Sequence, residues 1–117
     1  MTKSAMDLVQ AAKANITEIT IKQANDLFIT GSIPLDVRDS LEYEAGHIPN
    51  AHHISRGMLE FKIANHPDFQ NKDASIVVYC KSGGRSALAT ETLQQLGFTN
   101  VQSMLGGFDD WSADSNN

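Results

Sequence analysis

Apolar residues along the chain keep two different periods. After Ser4, with Asp7 three residues on, Ala5, Leu8, Val9 and Ala12 share one helical face, which predicts a capped helix packed on the domain edge. Ile16, Ile19 and Ile21 predict a short strand, and Thr20 with Gln23 makes a capping-box pattern that opens a second helix. Ala24, Leu27 and Phe28 give that helix its apolar face, and Gly31 stops it. Pro34–Val37 reads as a strand with Pro34 held to its first position. Asp39 and Glu42 cap a short helix through Ala45, ended by Gly46. Ile48-Pro49-Asn50-Ala51 is a turn leading into a strand at His52–Ile54. Ser55 caps a helix through Ala64 on a looser pattern of Met58, Leu59, Phe61 and Ile63, and polar Asn65–Ala74, with Pro67, reads as a surface connection.

Ile76-Val77-Val78-Tyr79 is the strongest strand signal, a continuous β-branched run of the kind a parallel strand needs when both faces are covered. Ser86–Leu96 is a helix with Ala89, Leu93 and Leu96 aligned, closed by Gly97, and Phe98 packs back on it. Val101–Met104 is a last strand, Phe108–Trp111 a terminal helical turn that closes the core, and Asp114–Asn117 should fray. Strands alternating with helices predict an α/β three-layer sandwich: a mainly parallel central sheet of about five strands with helices on both faces. The expected organisation is a helical extension at residues 1–15, one domain at 16–113 and a frayed tail at 114–117.

Length and composition narrow the function classes. At 117 residues, 41% of them hydrophobic and 20% charged, the chain suits one ordinary globular domain. No apolar run approaches the roughly 20 residues of a membrane span, and one Lys before a short, broken apolar stretch makes a poor signal peptide. The net charge of −5, with no basic stripe, argues against nucleic-acid binding, so any anion must be bound locally. A single cysteine, Cys80, allows neither an intrachain disulfide nor an all-cysteine zinc site, and a free thiol fits the cytoplasm. His52 and His53 would point to opposite faces of a strand, and with His66 they make no ligand set, so no metal is expected.

The chemistry lies in Tyr79-Cys80-Lys81-Ser82-Gly83-Gly84-Arg85-Ser86, where a buried strand ends, a small-residue loop follows and a helix begins. Ligands of open α/β sheets bind outside the carboxyl ends of strands, where this loop falls. Gly83 and Gly84 let consecutive N–H groups turn inward, and the helix start adds unpaired donors and a partial positive charge. Lys81 and Arg85 add two cations, making an anion cup with Cys80 at its base and favouring thiolate. The plainer alternative, an inert cysteine beside a glycine turn, fits the glycines alone but not the glycines, cations and helix start together.

Cys-x4-Arg between strand and helix resembles the active-site loop of rhodanese-like sulfurtransferases. Leu35-Asp36-Val37-Arg38 resembles that family's Asp-Val-Arg strand end, and Tyr43–Ala51 resembles its Gly-His-Ile-Pro segment, with Asn50 where Gly is common. Leu105-Gly106-Gly107-Phe108 followed by Trp111 resembles its C-terminal signature, so the likeness runs over roughly residues 16 to 112 in the expected order. The resemblance implies the rhodanese-like fold and a cysteine persulfide on Cys80, formed from a small anionic donor such as thiosulfate. Lys81, Ser82, Gly83, Gly84, Arg85 and Ser86 would bind the substrate. The sulfur would pass to cyanide in an assay, or to a thiol or protein acceptor in the cell. No cofactor is implied, and the expected state is a monomer without nucleic-acid or membrane partners. Asp36 and Arg38 read as a structural ion pair, and His47 as a hydrogen-bonded structural imidazole. Arg85 either faces the ligand or anchors the loop on an acid such as Asp36. Two rivals stand beside this reading: a non-catalytic sulfur-carrier or partner-binding module, and phosphatase or arsenate-reductase chemistry. The latter uses a loop one residue longer than the four residues between Cys80 and Arg85.

Overall fold

The structure, a computed structural model, describes residues 2–115. Its strands are β1 (Glu18–Ile19), β2 (Ile33–Asp36), β3 (His52–His53), β4 (Ile76–Tyr79) and β5 (Val101–Met104). They form one wholly parallel sheet in the order β1-β5-β4-β2-β3, so the β-branched run of β4 takes the central place. All four β4 residues are fully buried, and they alternate between faces. Ile76 and Val78 join one core cluster, which Cys80 extends, while Val77 and Tyr79 join the other. Pro34 is the second residue of β2, not the first. The Ile33 amide bonds the Ser75 carbonyl just before β4 and the Val37 amide the Tyr79 carbonyl of β4, so the amide Pro34 lacks would face β3, whose pairing begins only at Leu35.

The helices are α1 (Ala5–Lys13), α2 (Ile21–Ile29), α3 (Ser40–Ala45), α4 (Leu59–Ile63), α5 (Gly84–Gln95) and α6 (Gly107–Ser115). Leu59 and Ile63 of α4 and Ala89 and Leu93 of α5 cover one face of the sheet. Ala24 of α2, Tyr43 of α3 and Phe108 and Trp111 of α6 cover the other. Val9 and Ala12 of α1 pack on Ala87 of α5, outside the sheet proper.

Several boundaries depart from expectation for local reasons. The Thr20–Gln23 capping box forms in full, so Ile21 opens α2 and only Glu18–Ile19 stays extended. The helix expected over Ser55–Ala64 is a 3-10 turn, Arg56–Met58, followed by the short α4. The polar stretch 65–74 is not wholly a surface connection, because its 3-10 turn Pro67–Phe69 delivers Phe69 into the core at 1% exposure. Helix α5 starts at Gly84, two residues early, and α6 runs through Asp114 to Ser115, where fraying was expected. The rest of that expected tail, Asn116–Asn117, lies outside the described residues. Among the described residues no helix is long and apolar enough to cross a membrane.

Because Phe69 fills the core against His52 and His66, Phe69→Ala should lower stability by about 3–5 kcal/mol, measured by urea unfolding. A cost near that of a surface substitution would contradict its placement in the core.

Candidate active site

In a parallel sheet every strand ends at the same edge, and the segments after β2, β4 and β5 meet there. Cys80 follows β4 and is 1% exposed. The loop behind it folds back so that Cys80 Sγ accepts hydrogen bonds from the Gly83 amide at 3.1 Å and the Ser86 amide at 3.3 Å. Gly83 adopts φ +122°, the left-handed region, which turns its amide inward just before α5 begins. Gly84 has no such need, since a Cβ there would make ordinary contact with Val9 at 3.7 Å. The cup is therefore narrower than a ring of every amide from Lys81 to Ser86. Two donors converge on the sulfur, together with the N-terminus of α5.

A hydroxyl pair lies under the sulfur. The Cys80 thiol faces Ser86 Oγ at 3.6 Å, Ser86 Oγ donates to the Gly83 carbonyl at 3.2 Å, and Ser103 Oγ on β5 is 2.8 Å from Ser86 Oγ. The first two carbonyls of the loop are met by α6. The Phe108 amide donates to the Cys80 carbonyl at 2.8 Å and the Asp109 amide to the Lys81 carbonyl at 3.1 Å. This approach requires glycine at 107, where φ is +61° and a Cβ would stand 2.5 Å from the Lys81 backbone. At Gly106, φ +78°, a Cβ would collide with the Asp110 carboxylate.

Every cation of the site is paired. Arg38 binds Asp36 through Nε and Nη2 at 2.7–3.1 Å, and Nη2 also donates to the Gly46 carbonyl at 2.7 Å. Burial pulls the Arg38 pKa down, but the hydrogen bond and charge of Asp36 outweigh it and leave it raised. Arg85 bonds both Glu42 oxygens, at 2.7 and 3.1 Å, and Glu42 also accepts the Asp39 amide. The hydrogen bond from Arg85, working against burial, holds the Glu42 carboxyl down to about 2, and the same bond raises Arg85. Lys81 Nζ meets Asp109 Oδ2 at 2.7 Å. A cleft of about 250 Å³ opens beside the loop, walled by Arg38, Glu42, Gly46, Lys81, Phe108 and Asp109.

Arg85 thus anchors the loop to α3 through Glu42, not through Asp36, and both cations of the expected cup are paired with acids. Asp36 and Arg38 form their buried ion pair. His47 stacks on Tyr43 with ring centroids 3.9 Å apart, and its Nδ1 lies 2.9 Å from the Tyr43 carbonyl. Ser82 is exposed. Among the described residues no group of three His, Cys, Asp or Glu could hold a metal. His52 instead contacts Asp68, and His53 the Arg38 carbonyl. Reading the sequence missed Glu42, Ser103 and Asp109 as site residues. Ser103 sits in a half-polar strand, Val101-Gln102-Ser103-Met104, and like the two acids left no signal of its own.

The rhodanese-like domain family matches residues 20–114. Among known proteins, the chain is 34% identical over 106 residues to thiosulfate sulfurtransferase 16, chloroplastic, of Arabidopsis thaliana, covering 82% of this chain and 87% of that protein. It is 34% identical over 95 residues to thiosulfate sulfurtransferase GlpE of Haemophilus influenzae, covering 80% and 86%. A solved structure from Rhodopseudomonas palustris CGA009, a protein of unknown function described as a possible tyrosine phosphatase, matches with a TM-score of 0.89. It shares 35% identity and covers 98% of this chain and 93% of its own.

Two outcomes follow from the geometry. Gly107→Ala should cost about 2–4 kcal/mol in denaturant unfolding and speed labelling of Cys80 by a thiol reagent, because α6 is pushed off the loop. Unchanged stability and labelling would mean the close approach is dispensable. Glu42 has its folded pKa depressed to about 2 from 4.5, so its contribution is present above pH 4.5 and is lost as pH falls towards 2. The stability gap between the wild type and Glu42→Gln, from unfolding curves, should close across that window. A gap constant with pH would refute the linkage.

Proposed function

Because the chain belongs to the rhodanese-like domain family, we propose that it is a sulfurtransferase working through a persulfide on Cys80. The observation that carries the reading is a buried sulfur accepting two amides at 3.1 and 3.3 Å at the start of a helix. Cys80 thiolate attacks the outer sulfur of a donor such as thiosulfate. The S–S bond of the donor breaks, sulfite leaves with the electron pair, and Cys80 carries the second sulfur as Cys–S–S⁻. The Gly83 and Ser86 amides, with the positive end of α5, stabilise sulfur anions on this path. The remaining loop residues, Lys81, Ser82, Gly84 and Arg85, shape the entrance for the donor. A thiophilic acceptor, cyanide in an assay or a small or protein thiol, then attacks the terminal sulfur and restores the thiolate. With one cysteine in the chain, that release is intermolecular.

Phosphatase chemistry, which the description of the Rhodopseudomonas relative raises, fits less well. Four residues separate Cys80 from Arg85, and both arms of the Arg85 guanidinium are bonded to Glu42. A phosphate dianion would need that guanidinium, and a hindered phosphorus centre is harder to bring to a sulfur that is 1% exposed than a terminal sulfur is.

Purified protein treated with thiosulfate should gain the mass of one sulfur atom and lose it to cyanide, with thiocyanate formed over many turnovers. Cys80→Ser should gain none while keeping the fold. Turnover near that of the wild type in Cys80→Ser, or hydrolysis of p-nitrophenyl phosphate in place of sulfur loading, would overturn the assignment. Loading followed by a single release, without turnover, would leave only a sulfur carrier.

A further inference from the structure

The cations of the mouth are all answered by carboxylates, and one of those pairs differs from the others. Arg38 and Arg85 serve the architecture, since each ties one element to another. Lys81, the residue after the nucleophile, is exposed, and its ammonium bonds nothing of the loop. Among the described residues it meets only Asp109, and the two residues are also joined through the backbone. The Asp109 amide donates to the Lys81 carbonyl at 3.1 Å while its carboxylate meets Lys81 Nζ at 2.7 Å, so the backbone keeps the acid beside the cation it neutralises. Both residues wall the cleft beside the loop, where Glu42 stays ionised down to about 2. An incoming dianion therefore meets no uncommitted cation, on a chain that already carries −5.

We propose that Asp109 is a specificity-determining residue that sets the charge of the sulfur donor by neutralising Lys81, so that the site favours donors of low charge over dianions. The inference rests on the sulfurtransferase reading and names the donor class for it. With thiosulfate the balance is S–SO₃²⁻ plus Cys80–S⁻ giving Cys80–S–S⁻ and SO₃²⁻. With methanethiosulfonate it is CH₃SO₂–S⁻ plus Cys80–S⁻ giving Cys80–S–S⁻ and CH₃SO₂⁻. The two donors present the same outer sulfur and differ by one unit of charge, so their ratio reads the field at the mouth.

The test is kcat/KM for both donors, with cyanide as acceptor, in the wild type, Asp109→Asn and Asp109→Glu. Removing a unit charge about 6 Å from the donor in water-like surroundings changes its efficiency about threefold per unit of donor charge. Asp109→Asn should therefore gain about tenfold with thiosulfate and about threefold with methanethiosulfonate, moving the ratio about threefold towards the dianion. The shift should contract in about 0.5 M salt, and Asp109→Glu, which keeps the charge, should leave the ratio in place. Equal changes for the two donors, no change, or a shift that persists at high salt would overturn the inference, because damage to α6 would affect both donors alike. A wild type that takes sulfur from neither donor would instead overturn the sulfurtransferase reading beneath it.

Discussion

A backbone amide or carbonyl taken out of regular strand or helix bonding needs another partner, and the Cys80 loop is organised around that constraint. The Gly83 and Ser86 amides bond the sulfur, and the Cys80, Lys81 and Gly83 carbonyls of the same turn need partners of their own. The Gly83 carbonyl is met by Ser86 Oγ and by the Ala87 amide of the first turn of α5. The Cys80 and Lys81 carbonyls are met by α6, whose first-turn amides would otherwise have no partner. Two sets of orphaned groups, one from a loop and one from a helix start, satisfy each other. The glycine at 107 is what lets them come close enough.

Arg38 holds the frame on which that exchange depends. It ends the β2 segment, bonds the carbonyl that closes α3 and lies over the Phe108 ring of α6, 4.3 Å from its centroid. Its own carbonyl lies 2.7 Å from Nε2 of His53 in β3. An uncompensated guanidinium at this depth would be costly, and fully buried Asp36 is the compensation. The pair is better understood as fixing where three elements meet than as a source of net stability. Tyr79 works in the same way: its hydroxyl accepts the Ile48 amide, and burial raises its pKa, keeping it neutral.

What the sequence made legible was mostly local. The β4 run, the capping boxes at Ser4 and Thr20 and the strand–cysteine–glycine–helix passage each rest on residues within a few positions of one another, and the fold honours them. Phe69 was not legible, since one aromatic in a polar stretch has no period to betray it. Nor was the wiring of the site. The Lys81–Asp109 and Arg85–Glu42 pairs join residues 28 and 43 positions apart, and charge on a chain does not say which acid a cation will find. Lys81 and Arg85 read as two cations of the cup, with Arg85 either facing the ligand or anchoring the loop, and the acids they find bear directly on which anions the site can attract.

Cys80 also continues the alternation of β4, on the same side as Ile76 and Val78, and joins their apolar cluster. By position it is a core residue, and a core cysteine is ordinarily inert. An apolar environment alone raises the cost of a sulfur anion, so burial by itself would argue against chemistry. The two amides reverse that argument, because they make one side of the sulfur's surroundings polar while the other stays packed. Both donors are amides of a helix start, which have no intrahelical acceptor, and the loop turns both onto the sulfur. The strand that centres the sheet therefore also centres the chemistry. Core packing holds the sulfur still, and the loop supplies the polarity that packing cannot.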